Sequence, residues 1–166
     1  MITQSTLKHG GVYAAQGNTS AGATYAKKLL PATYGAGYAR VYFNIVSASS
    51  QVNILRMRTA ADGSLGYLGV SAAGRLMWVN DVGAVTLTSA TSVGAGWHAL
   101  ELRMVVNGAA SATEVWLDGA RVNDLSVSGN LGATPIGKLQ IGEVQNGRVY
   151  NIIIDDVAFN TARIGP

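Results

Sequence analysis

Six Xaa-Gly or Gly-Xaa pairs punctuate this chain: Asp62-Gly63, Ala73-Gly74, Asn107-Gly108, Asp118-Gly119, Gly129-Asn130 and Asn146-Gly147. Most are flanked by β-branched, leucine or aromatic residues, the pattern of tight hairpins. Such turns need positive φ, which Gly, Asn and Asp adopt at least steric cost. Repeated along 166 residues, the pattern predicts a chain built almost wholly of antiparallel strands. No stretch sustains a 3.6-residue apolar period over helical length, so any helix is expected to be a single turn.

The expected strands run over 11–15, 23–29, 38–46, 51–59, 65–71, 75–80, 83–88, 97–107, 113–117, 121–125, 136–141 and 149–159. Residues 31–37, with Pro31 and Tyr34, are expected as a long turn. The size and the absence of a composition break fit one β-sandwich domain over residues 1–166. Within 97–107, alternation predicts Leu100, Leu102 and Met104 in the core with His98 at its rim. Val115 and Leu117 are likewise core, which turns Trp116 to the opposite face.

Only 13% of residues are charged, about half the usual fraction, which fits an extracellular or cell- or virion-surface setting. The net charge of +3 is scattered, and Lys27-Lys28 is the one basic doublet, so no nucleic-acid stripe is expected. The chain has no cysteine, which excludes disulfides, thiolate catalysis and Cys-based zinc sites. No apolar run approaches the ~20 residues that span a bilayer. Met1-Ile2-Thr3-Gln4 lacks the basic and apolar regions of a signal peptide. The expectation is a module of a longer secreted chain, or a small protein that needs no signal.

Four segments carry a resemblance. Gly96-Trp97-His98-Ala99-Leu100-Glu101-Leu102, Glu114-Val115-Trp116-Leu117-Asp118-Gly119, Lys138-Leu139-Gln140-Ile141-Gly142 and Asp155-Asp156-Val157-Ala158-Phe159 follow one another over residues 96–160. They resemble motifs of laminin-G-like domains, in the concanavalin A-like lectin/glucanase superfamily. The resemblance implies an all-β, antiparallel two-sheet jelly-roll sandwich. In related carbohydrate-binding jelly rolls the matching Asp pair holds a structural calcium, so the resemblance implies Asp155 and Asp156 as metal ligands. If Val157 and Phe159 face the core, alternation turns Asp155 inward, where a carboxylate must be paired, hydrogen-bonded or metal-bound. Backbone N–H groups, or an arginine such as Arg163, are the alternative partners to calcium.

Glycosidases of this fold carry alternating acidic residues on one strand, and no such triplet occurs here. Adjacent Asp155 and Asp156 point to opposite faces and make no dyad. Lyases of this fold combine Arg, Gln, His and Tyr, and Arg56, Arg58, His98 and Tyr150 are the residues to consider. An exposed aromatic can instead stack on the apolar face of a sugar. Trp116 is the first candidate, with Trp78, Tyr67, Tyr42 and Tyr38 extending the platform if they share a face. The sequence reading is a non-catalytic binding module for a glycan or surface polymer. The alternative is a structural or adhesive subunit whose partners are neighbouring subunits, and the lesser alternative a jelly-roll lyase or hydrolase.

Overall fold

The computed structural model describes residues 1–20 and 22–166. Its strands are β1 (Ile2–Gln4), β2 (Ala14–Thr19), β3 (Thr24–Tyr34), β4 (Ala36–Ala48), β5 (Val52–Arg58), β6 (Ser64–Val70) and β7 (Arg75–Asn80). They continue as β8 (Val85–Ser92), β9 (Trp97–Val105), β10 (Ala112–Leu117), β11 (Ala120–Arg121), β12 (Ile136–Glu143) and β13 (Tyr150–Asn160). One 3-10 turn, Asn123–Leu125, is the only helical element among the described residues. Every pairing between these strands is antiparallel, in a seven-stranded sheet β1-β2-β13-β4-β9-β10-β11 and a six-stranded sheet β3-β12-β5-β6-β7-β8. This is the all-antiparallel chain that the turn pattern predicts, in the jelly-roll sandwich that the resemblance implies.

Period-two alternation builds the interior. On β4, Ala39, Val41 and Phe43 join the core, while Tyr38, Arg40 and Tyr42 take the opposite face. Opposite them on β9, Leu102 and Leu100 pair with Ala39 and Val41. From the other sheet come Leu55, Met57, Leu68, Trp78 and Leu139. Leu100, Leu102 and Met104 are fully buried, as alternation requires, and His98 lies at the rim with Nδ1 2.7 Å from Asp118.

Four of the six turn pairs join consecutive hairpin strands, and Asp62, Gly74, Gly108, Asp118 and Gly119 there have φ between 52° and 79°. Asn146-Gly147 instead carries the chain from β12 in one sheet to β13 in the other. Gly129-Asn130 lies in the connection before β12. Residues 31–37 are not a long turn: β3 continues through Pro31 to Tyr34. Pro31 is tolerated because β3 is an edge strand, where a missing N–H breaks no second ladder. The strand expected over 121–125 is instead the end of the two-residue β11, then Val122 and the 3-10 turn.

Asp155 does not point inward. Phe159 pairs with the core residue Ala39, as expected, but β13 spends three steps from Asp155 to Ala158 while β4 spends two from Tyr42 to Arg40. The extra residue is a β-bulge, marked by φ 46° at Asp156, and it reverses the alternation upstream. Asp155 therefore shares the outer face with Ile153, while Ile152 and Ile154 fill the core.

The two outer faces differ. Residues of the N-terminal segment and of the C-terminal tail bond onto the seven-stranded sheet. His9 and Gly10 donate backbone N–H groups to Asp155, and Ile164 and Gly165 to buried Glu101. Among the described residues, neither terminal segment makes such hydrogen bonds to the outer row of the six-stranded sheet.

Packing is tight where β6 meets β7: a Cβ at Gly66 would lie 2.4 Å from Trp78 Cη2 and 2.6 Å from the Val79 carbonyl oxygen. Gly66→Ala is expected to lower stability by about 1–3 kcal/mol in urea unfolding. Gly35→Ala, whose Cβ meets nothing within 4 Å, is expected to change it by about 0.5 kcal/mol or less.

Candidate functional site

The ladder register aligns one outward row across all six strands of the smaller sheet: Lys27, Gln140, Arg56, Tyr67, Val79 and Thr86. Strand neighbours hold the polar members in place. Arg56 Nη1 donates to Ser64 Oγ at 2.7 Å and to Asp81 Oδ2 at 3.0 Å, and its guanidinium lies 4.2 Å from the Tyr67 ring centroid. Gln51 Nε2 donates to the Tyr67 hydroxyl at 3.3 Å. Burial lowers the Arg56 pKa, an effect that the Asp81 charge opposes. Gln140 Oε1 accepts a 2.6 Å bond from Arg58 Nε. Arg56 Nε and Gln140 Nε2 are buried and have no hydrogen-bond partner among the described residues.

Beside this row Arg58 pairs with Lys138 across the β5–β12 ladder. Both reach toward Asp62 in the β5–β6 turn, as does Lys27. Lys27 Nζ lies 2.6 Å from Asp62 Oδ2, Lys138 Nζ 3.7 Å from Oδ1, and Arg58 Nη1 3.9 Å from Oδ1. The Lys27 hydrogen bond holds the Asp62 carboxyl below its ordinary range; desolvation opposes this, and the charges of Lys27, Arg58 and Lys138 reinforce it.

The next outward position on β3 is Tyr25, opposite Gly142 and 44% exposed. Lys27 Nζ sits 5.3 Å from its ring centroid. Tyr25 is thus an exposed aromatic on the same face as the polar row, and the sequence reading passed over it. The available signal was its spacing of two from Lys27 on a strand.

The aromatic residues singled out in the sequence do not form one platform. Trp78 is 1% exposed within the inter-sheet core, because it pairs with core Leu68 on β6; it cannot stack on a ligand. Tyr67 lies on the outer face of the six-stranded sheet, mostly covered by Arg56. Tyr42, Tyr38 and Trp116 belong to the other sheet. Tyr42 is stacked on the His9 ring at 3.6 Å, with the Arg40 guanidinium 4.9 Å away. Trp116 does project opposite Val115 and Leu117, but it is only 8% exposed. Its ring carries the Arg163 guanidinium at 4.7 Å, and Tyr38 is 6.2 Å away. The C-terminal tail thus occupies the place where a sugar would stack. The catalytic combination is also dispersed. Arg56 and Arg58 share one face, His98 is on β9 of the other sheet, and Tyr150 is buried, its hydroxyl 2.8 Å from Thr24 Oγ1.

Asp155 and Asp156 have protein partners. Asp155 Oδ2 accepts the N–H groups of His9 at 2.9 Å and Gly10 at 3.1 Å, and its Oδ1 accepts that of Asp156 at 2.8 Å. Asp156 Oδ2 lies 2.8 Å from His9 Nδ1. Arg163 turns instead to Glu101, at 3.6 Å. Calcium needs lone pairs where these N–H groups point, and no group of three or more acidic, His or Cys side chains suited to a metal occurs among the described residues. The residues present do not fit a calcium site. Asp155→Ala is expected to cost about 1–3 kcal/mol by stranding backbone donors. EDTA is expected to leave the melting temperature of both proteins unchanged, as differential scanning calorimetry will show.

No protein-family model matches the chain, and no curated protein matches it by sequence. Solved structures do. A "Cellulose induced protein, Cip1" is 17% identical with a TM-score of 0.77, over 99% of this chain and 86% of that one. A sialidase is 10% identical with a TM-score of 0.70, over 90% of this chain but 15% of its own. The carbohydrate binding module CBM66 from Bacillus subtilis is 12% identical with a TM-score of 0.57, over 87% of this chain and 85% of that one. At these identities the likeness is one of fold.

Proposed function

We propose that the protein is a non-catalytic glycan-binding module of an extracellular or surface protein, and that it binds through the outer face of the six-stranded sheet. One observation carries this reading: the exposed Tyr25 ring borders a row of polar side chains already fixed by one another. An aromatic ring supplies apolar contact to a sugar face. Lys27 and Arg58 supply hydrogen-bonding groups for hydroxyls at little further ordering cost, since their neighbours already restrain them, while the buried Arg56 and Gln140 hold the row in place. The fold likeness to a protein named as a carbohydrate binding module supports the reading. Tyr67 takes part by positioning Arg56, not by stacking on the ligand.

The rival reading, a structural or adhesive subunit, draws on Ile2, Val12 and Tyr13, which are exposed at the N-terminal end. Contacts with neighbouring subunits would cover them.

In affinity electrophoresis across a polysaccharide panel, Tyr25→Ala is expected to weaken retention about 3- to 10-fold, the worth of one aromatic contact. Its melting temperature is expected to stay close to that of the wild type. Trp116→Ala is expected to do the reverse, lowering stability and leaving retention unchanged. Retention unaffected by Tyr25→Ala, together with concentration-dependent assembly in light scattering, would favour the subunit reading.

A further inference from the structure

Lys27 on β3, Lys138 on β12 and Arg58 on β5 belong to three adjacent strands, yet their charged ends gather around the single carboxylate of Asp62. Three positive charges face one negative charge within 3.9 Å. Their capacity is not exhausted. Lys138 lies beyond hydrogen-bond distance of Asp62 and makes no hydrogen bond among the described residues. Lys27 uses one of its three donors on Asp62. Asp62 Oδ1, which faces Lys138 and Arg58, is covered, but the Asp62 side chain as a whole is 41% exposed, and Lys27 and Lys138 keep 28% and 23% of their side-chain surface open to solvent.

We propose that this cluster makes the glycan site selective for acidic sugars: the carboxylate of a uronic acid binds Lys138 and Lys27 beside Asp62, which serves as the resident counter-ion of the free protein. The proposal rests on the glycan-binding reading and names the class of ligand. Lys27 links the two parts of the site, because its ammonium lies 5.3 Å from the Tyr25 ring centroid. A sugar stacked on Tyr25 therefore carries its carboxylate to the cluster. Asp62 sets selectivity by occupying part of the cationic field, so that a neutral sugar finds the charges compensated and an acidic one finds a surplus.

The shape of the cluster favours a uronate over a nucleic acid. A single-stranded nucleic acid needs a cationic groove that tracks successive phosphates, with aromatics spaced for successive bases. Here the cations converge on one carboxylate-sized point, and Arg56, the cation beside Gln140 in the outward row, is committed to Asp81 and Ser64.

The experiment compares polygalacturonate with the same polymer after carboxyl reduction, and with a single-stranded DNA, by isothermal titration calorimetry at low and high salt. Polygalacturonate is expected to bind more tightly than its reduced form and the DNA, and to weaken as salt screens the charges. Lys138→Ala is expected to weaken polygalacturonate binding about tenfold, the loss of a charge-assisted contact. Asp62→Asn is expected to strengthen it several-fold. Asn tolerates the left-handed φ of 74° at this turn, so the variant folds, and Lys138→Ala provides an independent arm.

Equal binding of the reduced polymer, still sensitive to Tyr25→Ala, would overturn the selectivity and leave the glycan reading standing. Tighter binding to the DNA would overturn it in favour of a general polyanion surface. No binding to either polymer or to any neutral glycan of the panel would remove both readings together.

Discussion

The pairing register of β12 with β5 governs the rest of the molecule. Leu139 against Met57 and Gln140 against Arg56 put one hydrophobic pair into the core and one polar pair outside. A slip of one residue would turn the arginines into the apolar space between the sheets and expel the leucine and methionine from it, so burial of the inner set fixes the register. Once it is fixed, the polar row is fixed too. Lys27 and Tyr67 are drawn into line by the same ladders on either side. The candidate site is thus a by-product of packing on the other side of the sheet, which is why it stands on strands and not on loops.

The seven-stranded sheet shows what happens when such a face is closed. Trp116, Tyr42 and Glu101 would be an aromatic and acidic surface if the sheet stood alone. Glu101 accepts backbone N–H groups from the tail, Arg163 covers Trp116, and His9 covers Tyr42. Asp155 plays the matching part for the N-terminal segment. Glu101 and Asp155 on this sheet are satisfied by the chain's own terminal segments, whereas the buried Arg40 Nε has no hydrogen-bond partner among the described residues. On the other sheet, Arg56 Nε and Gln140 Nε2 likewise have no partner among the described residues.

At the far end of β12, Glu143 shows how the smaller sheet tolerates a buried charge. It is fully buried and accepts from the Asn53 backbone and side chain, from the Gln145 backbone and from Arg148. With every lone pair engaged, the cost of burial is offset by charge-assisted bonds. The β5 strand is thereby anchored at its start, and the arginines further along it are held on a rigid support.

The strand composition, the hairpins at Asp62, Gly74, Gly108 and Asp118, and the inward set of β9 were determined by sequence alone. They rest on local rules: period-two burial and the φ that particular residues tolerate. The same rules turned Trp116 away from the core, and the structure agrees. What local rules cannot carry is any fact that depends on which segment lies over which. Trp78 reads as exposable and is core, because its strand is covered on that side. Trp116 is on the outer face and still covered, because the tail folds back upon it. Asp155 was assigned to the wrong face because one bulge residue reverses alternation without leaving a sequence mark. Tyr25 and the Asp62 cluster draw on strands far apart in the chain, and only the ladders that bring β3, β12 and β5 side by side make them neighbours.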